Sequence, residues 1–120
     1  MLNVKRLKYC VNGEWRESKT DKYTPVTDSS TGEVMAEAPC CTADEVNEAV
    51  AAARAAFPAW SSTPVAKRAE VMFRFKYLLD EHLEELTLLV AKELGKNLIE
   101  SRGDVLKAIE AVELACATPF

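Results

Sequence analysis

AVAAARAAFPAWSSTPVAKRAEVMFRF, residues 49–75, separates a region of short strands from a region of helix, and its reading decides the fold. Val46, Ala49, Val50, Ala53 and Phe57 recur at i, i+3, i+4, i+7 and i+11, which is one face of an amphipathic helix. Pro58 is expected to terminate that helix, because an interior proline removes one backbone hydrogen bond and crowds the preceding turn. Phe57 and Trp60 then flank the break as anchors of a hinge. A second helix opens at Thr63-Pro64, with threonine as N-cap and proline at the first helical position, where its missing N–H costs nothing. The many alanines of the first helix leave room for close approach by another helix or a sheet.

Upstream, Thr42-Ala43-Asp44-Glu45 is a capping-box pattern: Thr42 can accept from the amide three residues on while Glu45 reaches back. Earlier still, KYCVNGEWR (residues 8–16) predicts a β-hairpin, since Asn12-Gly13 suits a type I′ turn with positive φ at both central residues. Tyr9, Val11 and Trp15 offer apolar faces at strand spacing. The basic cluster of Lys5, Arg6 and Lys8 reads as a solvated, partly frayed terminus. In KYTPVT (residues 22–27) the chain is extended, with Pro25 excluding a central strand position. Asp28 to Gly32 is dense in turn formers, and Val34, Ala36 and Ala38 alternate with Met35 and Glu37 as in a strand.

Downstream, Met72, Phe75, Leu79, Leu83, Leu86, Val90 and Leu94 follow at helical spacing until Gly95 supplies a C-cap, with Asp80-Glu81-His82 as a break into two helices. Burying these seven side chains is worth on the order of 10 to 20 kcal/mol before entropy, at about 1.5 to 3 each. Such a stripe demands a partner surface. A last helix opens at the capping-box pattern Asn97 to Glu100 and carries Ile99, Leu106, Ile109, Val112 and Cys116 inward. Gly103 lies on the same side, where a missing side chain would let another backbone approach. The expected fold is therefore α+β and mostly helical: a β-hairpin and short strands over residues 1–40, then three or four amphipathic helices over 41–120.

Composition excludes several function classes. At 120 residues the chain is one domain's worth, able to bury roughly two-thirds of its unfolded surface. A net charge of -4, from 19 acidic and 15 basic residues, argues against a nucleic-acid platform, which needs a basic face. No stretch approaches the ~20 apolar residues of a membrane span, and no signal-peptide core is present. Cys10, Cys40, Cys41 and Cys116 have neither zinc-site nor disulfide-scaffold spacing and read as free thiols in a reducing cytoplasm. His82 is the single histidine; it lies among Glu81, Glu84 and Glu85, a solvated acidic face without a nucleophile beside it. The residues alone yield no catalytic, cofactor-binding or metal-binding set.

The order YCVNGEW, STGEVMAEAP, TADEVNEAVAAARAAFPAWSSTPVAKRAEVMFRF and ELGKNLIESRGDVLKAIEAVELAC resembles the N-terminal part of the aldehyde dehydrogenase superfamily. FPAWSSTPVAKRAEVMFRF and the SRGDVLKAIEAVELAC helix make it most similar to the CoA-acylating methylmalonate-semialdehyde dehydrogenase branch. It departs from the family pattern at Asp28-Ser29-Ser30, where a proline-containing loop is usual. It departs again at Ala117 to Phe120, where glycine and histidine usually follow.

The resemblance implies a homo-oligomeric oxidoreductase of semialdehydes that uses NAD, forms a cysteine thioester and passes it to coenzyme A. In the family the nucleophile and the residues holding NAD lie beyond the equivalent of Phe120, and none of the four cysteines here matches the nucleophile motif. The chain is thus expected to be a catalytically silent scaffold segment that binds neither NAD nor coenzyme A. Its expected partners are the remainder of a dehydrogenase and, through exposed apolar surface, itself. A freestanding helical self-association module is the alternative.

Overall fold

Two positive φ angles in succession, Asn12 at 53° and Gly13 at 78°, close the tight turn between strands β2 (Tyr9–Val11) and β3 (Glu14–Arg16) in the computed structural model, which describes residues 4–119. Met1 to Asn3, which head the basic N-terminal stretch, and Phe120 lie outside the described residues. The hairpin is the expected one, with register Tyr9 to Arg16, Cys10 to Trp15 and Val11 to Glu14. That register also assigns the faces. Trp15 shares a face with Cys10, opposite to Tyr9 and Val11, and is 71% exposed.

Strand β1 (Lys5–Arg6) corrects the expectation of a frayed terminus. It runs parallel to β5 (Val34–Pro39), and the Leu7 amide donates to the Glu37 carbonyl at 2.8 Å. The Arg6 guanidinium pairs with the Glu37 carboxylate at 3.2 Å and lies 4.4 Å from the Tyr23 ring centroid. Strand β4 (Tyr23–Thr27) is antiparallel on the other side of β5, giving the order β1-β5-β4. Pro25 therefore sits on an edge strand, where it is tolerated. Between β4 and β5, Asp28 braces the loop: its carboxylate accepts from the amides of Ser30 (2.8 Å) and Thr31 (3.3 Å), and Gly32 turns the chain at φ 76°.

Helix α1 (Ala43–Ser62) starts on the expected capping box, Glu45 amide to Thr42 Oγ1 at 3.3 Å and Thr42 amide to Glu45 Oε2 at 2.8 Å. Pro58 does not terminate it. The helix runs on to Ser62, with the Ser61 hydroxyl donating to the Pro58 carbonyl at 3.1 Å. The missing N–H costs one backbone bond near the helix end, and this stretch is exposed, so water can satisfy the freed carbonyl. The break comes at Thr63-Pro64 instead. Phe57 and Trp60 consequently project as exposed side chains from a continuous helix and anchor no hinge.

Helix α2 (Val65–Glu81) follows, with Pro64 rather than Thr63 in the N-cap position and its carbonyl accepting from Lys67 and Arg68. The expected break falls at His82, and α3 (Leu83–Leu94) ends on Gly95 at φ 68°. Helix α4 (Leu98–Ala117) is capped by Asn97, whose side chain accepts from the Glu100 amide at 2.9 Å. It packs against both α2 and α3.

The inward face of α4 is Ser101, Val105, Ile109 and Cys116. Ile99 was expected inside but is 87% exposed, and a Cβ built on Gly103 would meet nothing within 4 Å. Among the described residues no backbone approaches there. Ser101 is buried because its hydroxyl donates to the Asn97 carbonyl at 2.9 Å, and buried Thr87 does the same to Leu83 at 2.8 Å. The chain divides into two units, Met1–Ser61 with the strands and nearly all of α1, and Ser62–Phe120 with the remaining helices.

Candidate functional site

Within the first unit, α1 and the hairpin enclose a groove of about 410 Å³ between Tyr9 and Val11 on one side and Val46, Ala49 and Val50 on the other, with Cys41 at its end. The apolar stripe that marks α1 in the sequence is what lines it. Glu45 closes the groove at the start of the helix and is 6% exposed.

A carboxylate that far from water needs partners, and Glu45 has them. The Lys19 amide donates to Oε1 at 2.7 Å; the Ser18 hydroxyl (2.7 Å) and the Thr42 amide (2.8 Å) donate to Oε2. Those bonds, from Lys19 first, then Ser18 and Thr42, hold its pKa down at about 2 against the opposing effect of burial. One turn on, Glu48 pairs with Arg16 at the end of β3. The hairpin and the segment after it are thus clasped to the first two turns of α1.

This arrangement can position chain but is poorly suited to moving protons. Glu45 spends its lone pairs on three donors and has little affinity for a proton at neutral pH. The Tyr9 phenol is pushed up, first by desolvation and then by the carboxylates of Glu45 and Glu48, so it stays protonated. The cysteines are dispersed: Cys10 and Cys40 exposed, Cys41 half-buried, Cys116 buried, all as free thiols. His82 bonds Glu85 at 2.9 Å on the helical surface. Among the described residues no three His, Cys, Asp or Glu side chains converge as a metal site, and no helix is long and apolar enough to cross a membrane. The clasp itself escaped the sequence reading, which took Glu45 only as a cap. Its other partners lie 26 and 27 residues away in a segment without a recognisable pattern.

A family model described as the aldehyde dehydrogenase family matches residues 15–119. The chain belongs to that family. This aldehyde dehydrogenase segment is 47% identical over 119 residues to the malonate-semialdehyde dehydrogenase of Listeria monocytogenes, a match covering 99% of this chain and 24% of that protein. The corresponding protein of Bacillus velezensis is 44% identical over the same coverage. Among solved structures, methylmalonate-semialdehyde dehydrogenase from Oceanimonas doudoroffii superposes with a TM-score of 0.89 at 35% identity, over 97% of this chain and 24% of its own. A putative methylmalonate-semialdehyde dehydrogenase from Sinorhizobium meliloti, complexed with NAD, gives 0.90 at 25% identity, over 99% and 24%. The segment therefore spans about a quarter of the length of these dehydrogenases, and it has their fold over that quarter.

Proposed function

We propose that this chain is the N-terminal scaffold segment of an NAD-dependent, CoA-acylating (methyl)malonate-semialdehyde dehydrogenase of the cytoplasm, catalytically silent by itself. The observation that carries the reading is the likeness to malonate-semialdehyde dehydrogenases along nearly the whole chain. In this reading the strands of residues 1–40 and the helices of 41–120 are the first part of one larger dehydrogenase domain. The helices brace the dinucleotide-binding part, and the hairpin, clasped through Glu45 and Arg16, supplies scaffold. Oxidation of the aldehyde through a cysteine thioester, its transfer to coenzyme A and the holding of NAD belong to residues beyond the segment.

The chemistry of the residues present supports that division. NAD and coenzyme A both carry a pyrophosphate, which is ordinarily cradled by glycine-rich backbone at a helix N-terminus. Here the glycines occupy the hairpin turn, the β4–β5 turn, the C-cap of α3 and the interior of α4. The ionised side chain at the α1 groove is a carboxylate, which repels phosphate. The α1 groove does not fit the pyrophosphate of either cofactor.

Calorimetric titration of the 120-residue chain with NAD tests the proposal: no heat of binding is expected, and micromolar binding would overturn it. Exposed Phe73, Tyr77, Leu88 and Leu89 on α2 and α3 support a further element, self-association of the chain when it is alone. Sedimentation should show species larger than the monomer; a monomer at high concentration refutes this. The second reading is a freestanding helical module that dimerises through the Met72 to Leu94 stripe, of which Met72, Phe75 and Leu94 are exposed. It differs in requiring that the segment fail to replace its counterpart in a malonate-semialdehyde dehydrogenase.

A further inference from the structure

On α2, Val65, Arg68, Met72 and Phe75 follow one another at steps of three, four and three, so they share a face of the helix. Val65, Met72 and Phe75 are exposed, whereas Arg68 is half-buried. Its Nε is shut off from water and has no hydrogen-bond partner. The arrangement is costly as it stands. A guanidinium keeps its charge at any ordinary pH, and a donor nitrogen shut off from water without an acceptor forfeits a hydrogen bond that a carboxylate would supply. Nearby Lys67 already pairs with Glu70 at 2.8 Å, which leaves Arg68 without help from that carboxylate.

We infer that Arg68 is the anchor of the surface on which the rest of the dehydrogenase seats itself, pairing there with a carboxylate of that remainder while Val65, Met72 and Phe75 supply the apolar contact around it. The inference rests on the scaffold reading above. The occupant follows from length, since about three-quarters of each relative lies outside the matched quarter. The acceptor follows from charge and shape: the planar guanidinium offers Nε and a terminal nitrogen as a fork that a carboxylate fills with two bonds.

The test places this chain in the Listeria monocytogenes malonate-semialdehyde dehydrogenase in place of the matched segment, and compares R68M and R68K there with the same variants of the isolated 120-residue chain. The chimera with Arg68 should reduce NAD with malonate semialdehyde. R68M and R68K should each lower its melting temperature by about 2–4 °C or more, because methionine has no charge and lysine no fork. In the isolated chain R68M should leave the melting temperature unchanged or raise it, since it removes an unpaired buried donor. Equal destabilisation in both settings would mean that Arg68 serves only its own unit, and an unchanged chimera would mean that nothing pairs with it; either overturns the inference. A chimera that folds but is inactive, or does not fold, overturns the scaffold reading and the inference with it.

Discussion

Replacing Ile109 by alanine and, separately, Ile99 by alanine sets two identical chemical changes on one helix against opposite surroundings. Ile109 is 4% exposed on the face of α4 that meets α2 and α3, and Ile99 is 87% exposed. At Ile109 the change deletes buried methyl and methylene groups and leaves a cavity, which costs about 2–5 kcal/mol. At Ile99 nothing is unburied, and the higher helix propensity of alanine makes the change neutral or stabilising by roughly 0–0.5 kcal/mol. Urea unfolding followed by far-ultraviolet circular dichroism at low protein concentration reads the difference. With a slope of about 1–2 kcal/mol per molar urea, I109A should lower the midpoint by about 1 M or more, while I99A leaves it unchanged or raises it by no more than about 0.5 M. Equal shifts, or a larger loss for I99A, would place Ile99 in the core and refute the assignment of the inward face.

The Glu45 clasp predicts an acid-sensitive element. Its carboxyl is lowered from the ordinary value of 4.5 to about 2, so its stabilising contribution is complete above pH 4.5 and is lost as pH falls towards 2. E45Q should flatten the stability profile between pH 4.5 and 2; an unaltered acid limb would show that the carboxylate is not held as described. Two glycines should respond in opposite directions to alanine in thermal melts. G13A forces a side chain to φ 78° and should cost about 1 kcal/mol, whereas G103A, in a helix interior with open space around the added methyl, should gain roughly 0.5–1 kcal/mol. A loss at Gly103 would mean that another backbone does approach there.

What could be read from the sequence was local. Asn12-Gly13, the Thr42 and Glu45 box, the stop at Gly95 and the break at His82 each depend on residues within one turn of each other, and each is found where expected. What was unread or misread is of four kinds. Period two is unforgiving: the pairing of Trp15 with Cys10 moves the indole to the face opposite Tyr9. On α4, Ser101 looks polar but donates its proton to its own helix, so the buried row runs through it and not through Ile99. The third kind is distance. Strand β1 finds its partner 31 residues on, at Glu37, and Glu45 collects its donors from Ser18 and Lys19. No local pattern announces such pairings, which is why the clasp and the open groove behind it stayed out of sight. Pro58 shows that a breaker near a helix end costs one bond and need not stop the helix.

The parallel pairing of β1 with β5 sets an order of events during synthesis. Lys5 and Arg6 are made before their partner strand, and the Glu37 carboxylate that pairs with Arg6 is added 31 residues after it. At about 5–20 residues per second that is a wait of roughly 2–6 s. The hairpin, whose strands are joined by two residues, can close within about 1–10 μs. The turn at Asn12-Gly13 is therefore in place long before the segment that precedes it. Lys5 and Arg6 are therefore held only after the hairpin that follows them has closed.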